Sequence, residues 1–252
     1  MNLRYYTKKI KMFGLYLTAK AVGKDYYECD IDGLNIKLGF IHPYHHLMAK
    51  HFRDQKHEQP MLVLWKKLCA KAKGTIMDIG AYNGIYGIVA AKVSPNRVIC
   101  VEPEEINVAQ IRHNLALNDV KIQIFEKPLW NKLDKVFLNE HTGGTATSVR
   151  GNYGSRLTGM LDQFEGVSLI KLDAVGAELK ILQGGEKVLR AHPIILIEVR
   201  PRLLEAMGNS EKELWEFVEV HGYKKELIYQ CSDIRNYLLY AMTASLYEHH
   251  TN

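Results

Sequence analysis

From residue 75 onward, the sequence alternates short apolar runs with amphipathic segments, and this alternation constrains the fold more than any other feature. It predicts strands at 75–79, 97–102, 121–125, 167–173 and 194–199, with helices at about 84–93, 104–117, 176–190 and 211–221. Apolar strands separated by helices are typical of a parallel sheet that is covered on both faces. Two further strand-like runs, at 224–229 and 236–241, have no helix between them and predict an antiparallel hairpin at the sheet edge.

The first 73 residues lack this alternation and are predicted to form an N-terminal extension to a single α/β domain at 74–252. Apolar residues alternate on both sides of Asp32-Gly33, which predicts a β-hairpin at 26–38. Helices are predicted at 3–21, 43–54 and 58–72, the first of them basic and amphipathic. Residues 131–160 are rich in Thr and Gly, and we expect them to be irregular apart from a short strand at 135–138.

The composition excludes several classes of protein. With 47% hydrophobic and 24% charged residues, the chain is not a disordered or fibrous protein. Its four cysteines are scattered and form no Cys-x-x-Cys pair, which favours a reducing compartment and therefore the cytoplasm. No apolar run approaches the roughly 18–20 residues of a membrane span. A short apolar run at 12–17 resembles a signal peptide, but Lys20 follows it closely, and we expect the segment to be retained.

Charge is distributed unevenly. Residues 1–73 carry 14 Lys and Arg against 6 Asp and Glu, whereas the rest of the chain carries 19 against 22. A basic N-terminal section could contact an anionic membrane surface or a phosphorylated acceptor, and a solvated face is the alternative. No recognisable nucleic-acid module is present, so we predict no nucleic-acid partner. We also predict no metal site, because no signature spacing completes the histidine cluster at positions 42, 45, 46, 51 and 57. The oligomeric state is not predicted.

The predicted strand at 75–79 runs into a Gly-rich turn that contains Asp78, Gly80, Gly84 and Gly87. In parallel sheets of this kind, ligands bind outside the carboxyl ends of the strands. The turn is therefore expected to border a cofactor. By itself, such a turn would fit a dinucleotide, a nucleoside or no ligand.

Glu102 ends the next predicted strand, 24 residues after Asp78. A carboxylate at this place accepts hydrogen bonds from the ribose hydroxyls of an adenosine group, which both NAD and S-adenosylmethionine contain. NAD needs a bare helix N-terminus for its pyrophosphate, commonly within Gly-x-Gly-x-x-Gly, whereas the glycines here follow Gly-x-x-x-Gly-x-x-Gly. Asp78 would repel a pyrophosphate and attract a cationic amino acid tail. The sequence therefore favours S-adenosylmethionine as the cofactor.

Two carboxylates follow the strand at 167–173. Asp173 is expected at the carboxyl edge of the sheet, and Glu178 in the first turn of the next helix. Methyl transfer to a hydroxyl needs a general base, so Asp173 is the first candidate catalytic residue and Glu178 the second, with His141 a distant third. Asp173 could instead hold the amino group of the cofactor, and Glu178 could simply stabilise the helix dipole. The Thr/Gly segment at 141–145 would be an acceptor lid or an ordinary loop.

Three blocks in this order resemble the FkbM-type S-adenosylmethionine-dependent methyltransferases. They are Asp-Ile-Gly-Ala-Tyr-Asn-Gly at 78–84, Val-Glu-Pro at 101–103 with Asn-Leu-Ala-Leu-Asn at 114–118, and Ile-Lys-Leu-Asp-Ala-Val-Gly-Ala-Glu at 170–178. The resemblance covers about residues 74–200, including Leu-Gln-Gly-Gly at 182–185 and Ile-Leu-Ile-Glu at 195–198. It implies a Rossmann-like class I methyltransferase sheet of seven mostly parallel strands.

The resemblance also implies an activity, commonly O-methylation of a hydroxyl on a sugar or a secondary metabolite. It implies that Glu102 binds the ribose, and that the methionine part of the cofactor is lined by residues of the first block, namely Asp78, Gly80, Ala81 and Gly84. We count Asn83, in the same turn, with these cofactor-binding residues.

One position departs from the family pattern Asp-x-Glu-Gly-x-Glu, because Val175 stands where the first Glu belongs. We therefore expect an O-methyltransferase that acts on a small-molecule or glycan acceptor, such as a sugar, a glycolipid or a secondary metabolite. The alternatives are a catalytically degenerate S-adenosylmethionine-binding protein, which Val175 motivates, and an NAD-dependent oxidoreductase.

Overall fold

The computed structural model describes residues 3–54, 58–141, 144–148 and 155–242. Its helices are α1 (Leu3–Ala21), α2 (Pro43–Asp54), α3 (Gln59–Lys71), α4 (Ile85–Val93), α5 (Glu105–Asn118), α6 (Glu178–Gln183), α7 (Glu186–Leu189), α8 (Pro201–Ala206) and α9 (Glu211–Val220). Its strands are β1 (Tyr26–Ile31), β2 (Leu34–Gly39), β3 (Thr75–Ile79), β4 (Val98–Val101), β5 (Gln123–Phe125), β6 (Lys135–His141), β7 (Gly144–Ser148), β8 (Ser155–Leu157), β9 (Val167–Leu172), β10 (Ile194–Val199), β11 (Tyr223–Cys231) and β12 (Ile234–Ala241).

The main sheet has seven strands in the order β11-β12-β10-β9-β3-β4-β5. The strands β5, β4, β3, β9 and β10 run parallel, and β12 pairs antiparallel with both β10 and β11. Every residue of β3 and β4 is buried, because helices cover both faces of the sheet. This topology confirms the predicted class I methyltransferase sheet with its antiparallel edge hairpin.

The chain leaves β3 in one direction, toward β4 and β5, and later returns to the other side of β3 as β9. Such a reversal opens a crevice at the carboxyl ends of the strands, because the two connections diverge there. The crevice lies next to Ile79, Val101 and Leu172, the last residues of β3, β4 and β9.

The residues before β3, which the sequence predicts to be an N-terminal extension, contact α5 through β2. Three amide side chains of α5 accept hydrogen bonds from the backbone of this region, with Asn118 bonded to Lys37 (2.9 Å), Asn114 to Gly39 (2.8 Å) and Gln110 to Ile41 (2.9 Å). The spacing of four residues places the three amides on one face of α5. They occupy an edge of β2 that would otherwise be left without partners. The predicted hairpin itself is confirmed, with Asp32 and Gly33 at positive φ in its turn.

Two local predictions were wrong, and one helix was missed. Residues 131–160 contain β6, β7 and β8, which form a small antiparallel sheet, rather than only a short strand at 135–138. The helix predicted at 176–190 is divided into α6 and α7 at Gly184, where a Cβ would lie 2.1 Å from the Trp130 carbonyl oxygen. Helix α8 was not predicted. Thr142 and Gly143 of the suggested lid lie outside the described residues.

Candidate functional site

A cleft of about 330 Å³ opens at the carboxyl ends of the parallel strands. By the order of the strands, one end of the cleft lies at β4 and β5 and is lined by Glu102, Pro103, Asn107, Pro128 and Leu129, and the other lies at β10 and is lined by Glu198, Arg200 and Leu203. Met48, Phe52 and Tyr86 also line the cleft. The turn after β3 and Asp173 lie between the two ends. Its size is within the usual range for small-molecule and cofactor sites.

The turn after β3 depends on Gly80, which has a φ of +81° and donates its N–H to the Val101 carbonyl at 3.0 Å. A Cβ at this position would lie 1.8 Å from the Asp173 carbonyl oxygen. Glycine therefore lets the turn lie directly against the end of β9. Gly80 and Ala81 both line the cleft, as the sequence predicts for residues that contact a cofactor.

Side chains of the turn and of β3 satisfy donors at the start of α4. Asn83 accepts a hydrogen bond from the N–H of Ile85 at 3.1 Å, and Asp78 accepts one from the N–H of Gly87 at 2.9 Å. A pyrophosphate would need such donors to be available. This arrangement disfavours a dinucleotide. Asn83 lines the cleft, but Gly84 does not, and it instead precedes α4 at a φ of +79°.

Asp78 is buried and does not line the cleft, so its position differs from the one that the sequence predicts. Burial raises the pKa of its carboxyl to about 7, against the opposing hydrogen bond from Gly87. In this structure, Asp78 accepts a hydrogen bond from the first turn of α4 and so holds α4 against the sheet.

Glu102 is buried at the tip of β4 and lines the cleft. Its Oε2 accepts a hydrogen bond from the N–H of Tyr82 at 2.8 Å, and its Oε1 accepts one from the N–H of Glu104 at 3.0 Å. The Asn107 side chain also donates to Oε1, at 3.4 Å. Burial raises the pKa of Glu102 to about 7 despite these donors. The carboxylate is therefore held in a fixed orientation at the edge of the cleft.

Asp173 and Glu198 lie at the ends of the neighbouring strands β9 and β10, and both line the cleft. The side chain of Asp173 is 31% exposed, and its Oδ2 lies 3.8 Å from the ammonium of Lys171. Glu198 accepts hydrogen bonds from Arg200 at its Oε1. Burial and the Asp173 carboxylate raise the pKa of Glu198 to about 7, and Lys171 and Arg200 oppose the rise.

Glu178 does not reach the cleft. Its Oε1 accepts hydrogen bonds from the N–H groups of Ala174 (3.0 Å) and Gly176 (3.1 Å), and the side chain is buried. It thus shapes the turn between β9 and α6 rather than bordering an acceptor. Of the two carboxylates that the sequence offers as bases, the structure brings only Asp173 to the cleft. The side chain of His141 is not among those that the structure describes.

The sequence reasoning missed Lys171, Glu198 and Arg200. A signal was available, because Lys171 and Glu198 are charged residues within apolar strands, and such residues are seldom buried unless they are paired. It also missed that Tyr82, within the Gly-rich turn, has a φ of +52° and supplies a hydrogen bond to Glu102.

Val175 lines the cleft with a φ of +54°, in the left-handed region that a β-branched residue seldom adopts. Such strain costs about 1–3 kcal/mol.

We therefore expect Val175→Gly to raise the free energy of unfolding by about 1 kcal/mol, since glycine adopts this φ freely and its own entropic cost is smaller. Val220→Gly is the matched control, because Val220 is exposed at the end of α9. This variant should be less stable than the wild type, since glycine disfavours a helix. Urea unfolding measures both, and a Val175→Gly protein less stable than the wild type would contradict the assignment of strain.

The charges around the cleft suit a cationic ligand. Among the described residues that line it, four carry carboxylates (Glu58, Glu102, Asp173 and Glu198), and one, Arg200, carries a cation. S-adenosylmethionine brings a sulfonium and an ammonium group, whereas NAD brings a pyrophosphate. This excess of carboxylates therefore suits S-adenosylmethionine and opposes the binding of NAD.

The clustered histidines take part in packing. His45 is hydrogen-bonded to Asn107 at 3.0 Å, and His46 to the Tyr27 hydroxyl at 2.9 Å, both in buried positions. His57 lies outside the described residues. Among the side chains that the structure does describe, no group of three or more His, Cys, Asp and Glu residues could hold a metal ion.

Comparison with known proteins gives a match to the family described as "Methyltransferase FkbM domain" over residues 78–225, more than half of the chain. A curated relative, ribosomal protein L11 methyltransferase from Caldicellulosiruptor saccharolyticus, is 35% identical over 87 residues, which span 34% of this chain and only 29% of that protein.

Among solved structures, precorrin-6y C5,15-methyltransferase from Geobacter metallireducens aligns with 74% of this chain and 88% of its own, at 17% identity and a TM-score of 0.47. TYW2 from M. jannaschii, in complex with AdoMet, aligns with 86% of this chain and 85% of its own, at 14% identity and a TM-score of 0.46. The family match shows that the chain belongs to the FkbM methyltransferase domain family.

Proposed function

We propose that the protein transfers the methyl group of S-adenosylmethionine to a hydroxyl of a sugar, a glycolipid or a secondary metabolite. The observation that carries this proposal is the position of Asp173, a partly exposed carboxylate between the two ends of the cleft. Glu198 and Arg200, beside it, offer polar contacts that suit a polyhydroxylated acceptor.

The residues at the Glu102 end of the cleft would hold the cofactor. Glu102 would accept hydrogen bonds from the ribose hydroxyls, and the backbone of Gly80 and Ala81 would border the methionine part. The apolar surfaces of Pro103 and Leu129 would contact the adenine. When bound, S-adenosylmethionine supplies a methyl group on a cationic sulfur that leaves as a neutral thioether.

The residues at the Glu198 end of the cleft would position the acceptor. As the oxygen–carbon bond forms, the hydroxyl gives its proton to the Asp173 carboxylate, which later releases it to solvent. Arg200 holds Glu198 through its Oε1, which fixes this carboxylate beside the acceptor. The apolar side chains of Met48, Phe52 and Leu203 would exclude water from the cleft.

Incubation of the purified protein with S-adenosylmethionine and a glycan and glycolipid extract tests this proposal. We expect a product heavier by one methyl-for-hydrogen exchange, detected by mass spectrometry together with S-adenosylhomocysteine. The acceptor class is contradicted if no hydroxyl in the extract is methylated while parallel incubations with protein or nucleic acid give a methylated product.

A catalytically degenerate binding protein is the second candidate, and Val175 is the observation that favours it. This candidate predicts that S-adenosylmethionine binds but that no acceptor in the extract is methylated.

A cytoplasmic location, predicted from the scattered cysteines, stays a prediction. The four thiols are unpaired in the structure. No helix in the described part of the chain is both long and apolar enough to cross a membrane.

A further inference from the structure

Helix α1 turns an apolar face away from the rest of the protein. Its inner side packs through Ala19 and Tyr16, and the Tyr16 ring lies 6.1 Å from the ring of Phe40. Phe13 and Leu17, one turn apart, remain 53% and 50% exposed. Scattered exposed apolar side chains are ordinary, but two aligned on one helix face form a patch that needs a reason.

The sequence extends this pattern toward the N-terminus. Leu3, Tyr6, Ile10, Phe13 and Leu17 follow steps of three and four residues, which is the spacing of one helix face. Residues 1–24 carry six basic side chains (Arg4, Lys8, Lys9, Lys11, Lys20 and Lys24) and no Asp or Glu. Lys20 is paired with Asp25 at 2.6 Å, so the other five provide most of the positive charge.

We propose that α1 is a membrane-surface helix, which lies in the plane of an anionic phospholipid bilayer with Phe13 and Leu17 inserted among the acyl chains. An apolar stripe flanked by basic side chains is the pattern that such helices share. Anionic headgroups complement this charge, and each basic side chain near the surface strengthens binding.

Two other occupants fit less well. A second copy of the chain would bring two basic helices face to face, so their like charges would repel each other. A nucleic acid would neutralise the charge but would offer its phosphates to the apolar face of Phe13 and Leu17.

The position of α1 bears on the acceptor. Helix α1 packs against α2, and α2 contributes Met48 and Phe52 to the lining of the cleft. A helix that docks on a bilayer would therefore bring this part of the protein to the membrane surface. This step rests on the proposed function, and within it favours a membrane glycolipid as the acceptor over a free sugar.

Co-sedimentation of the full chain with phosphatidylcholine vesicles, with and without phosphatidylglycerol, tests the membrane proposal. We expect binding only to the vesicles that contain phosphatidylglycerol. The double variant Phe13→Ser/Leu17→Ser should bind at least about tenfold more weakly, because each substitution removes an apolar side chain that would enter the bilayer. The control double variant Leu133→Ser/Val220→Ser removes apolar side chains that are even more exposed but lie elsewhere, and it should bind like the wild type.

The proposal is overturned if the wild type does not bind these vesicles, or if Phe13→Ser/Leu17→Ser binds as tightly as the wild type. It is also overturned if the wild type is a dimer that the same double variant converts to a monomer. S-adenosylhomocysteine binding, measured on all three proteins by calorimetry, shows that each variant is folded. If the wild type does not bind S-adenosylhomocysteine, the cofactor assignment is contradicted, whereas the vesicle result still stands.

Discussion

We expect S-adenosylmethionine to bind the Glu102→Ala protein at least about tenfold more weakly than the wild type, since a hydrogen bond to a charged group contributes about 1.5–3 kcal/mol. The carboxylate lines the cleft, and its orientation is fixed by the N–H groups of Tyr82 and Glu104. It is therefore ready to accept hydrogen bonds from the ribose hydroxyls without rearrangement. Isothermal titration calorimetry measures the dissociation constant.

The substitution also leaves the amides of Tyr82 and Glu104 without their acceptor, at a cost of about 1–3 kcal/mol of stability. Binding must therefore be compared well below the unfolding transition of the variant. Glu105→Ala is the matched control, because Glu105 lies in the same segment with a side chain that is 80% exposed and paired with Arg156. Equal dissociation constants for the Glu102→Ala and wild-type proteins would remove the ribose assignment.

The pH dependence of binding gives the same assignment a second check. Burial raises the pKa of Glu102 to about 7, and the ionised form offers more acceptor sites to the ribose. The affinity of the wild type should consequently fall as the pH drops below about 7. Because Asp78 and Glu198 also have raised pKa values, the informative comparison is with Glu102→Ala, which should lose the part of the dependence due to Glu102.

The second large effect is expected at Asp173. Asp173→Asn should lower the rate of methyl transfer by about 10²–10⁴-fold, since an amide cannot accept the proton of the acceptor hydroxyl. Cofactor affinity should stay close to the wild-type value, because the amide keeps the size of the side chain. Assays that follow formation of S-adenosylhomocysteine measure the rate, and calorimetry measures the affinity.

Asp119→Asn is the matched control for this change, because Asp119 is exposed at the end of α5 in a conformation that Asn also tolerates. A fall in cofactor affinity as large as the fall in rate would assign Asp173 to the amino group of the cofactor instead. Glu178→Gln provides a further contrast, because Glu178 bonds the backbone of Ala174 and Gly176, so its loss should act through stability.

Much of the fold could be predicted because apolar periodicity reports burial directly. Strands β3, β4, β9 and β10 are mostly apolar, and the Asp-Gly pair of the β1–β2 hairpin has a strong turn preference. The small sheet of β6, β7 and β8 could not be found in this way, since its Thr, Gly and charged residues lack a clear alternation. The break at Gly184 depends on the approach of Trp130, a contact distant in sequence.

Of the candidate site, the sequence could predict only the residues that come directly after a strand. Glu102 and Asp173 follow directly after strands and line the cleft, so their place in the sequence indicated their place in the sheet. Asp78 lies within β3 and Glu178 begins α6, and both are buried and accept hydrogen bonds from nearby backbone instead of lining the cleft. Which way such a side chain points depends on the path of the turn around it, and that path is set by tertiary contacts.

A crystal structure of the protein with S-adenosylhomocysteine would test the cofactor site most directly. The site described here predicts the adenosyl group over the ends of β3 and β4, with a ribose hydroxyl in hydrogen-bond contact with the Glu102 carboxylate. An adenosyl group bound elsewhere, or a ribose that leaves Glu102 bonded only to its own backbone neighbours, would contradict it.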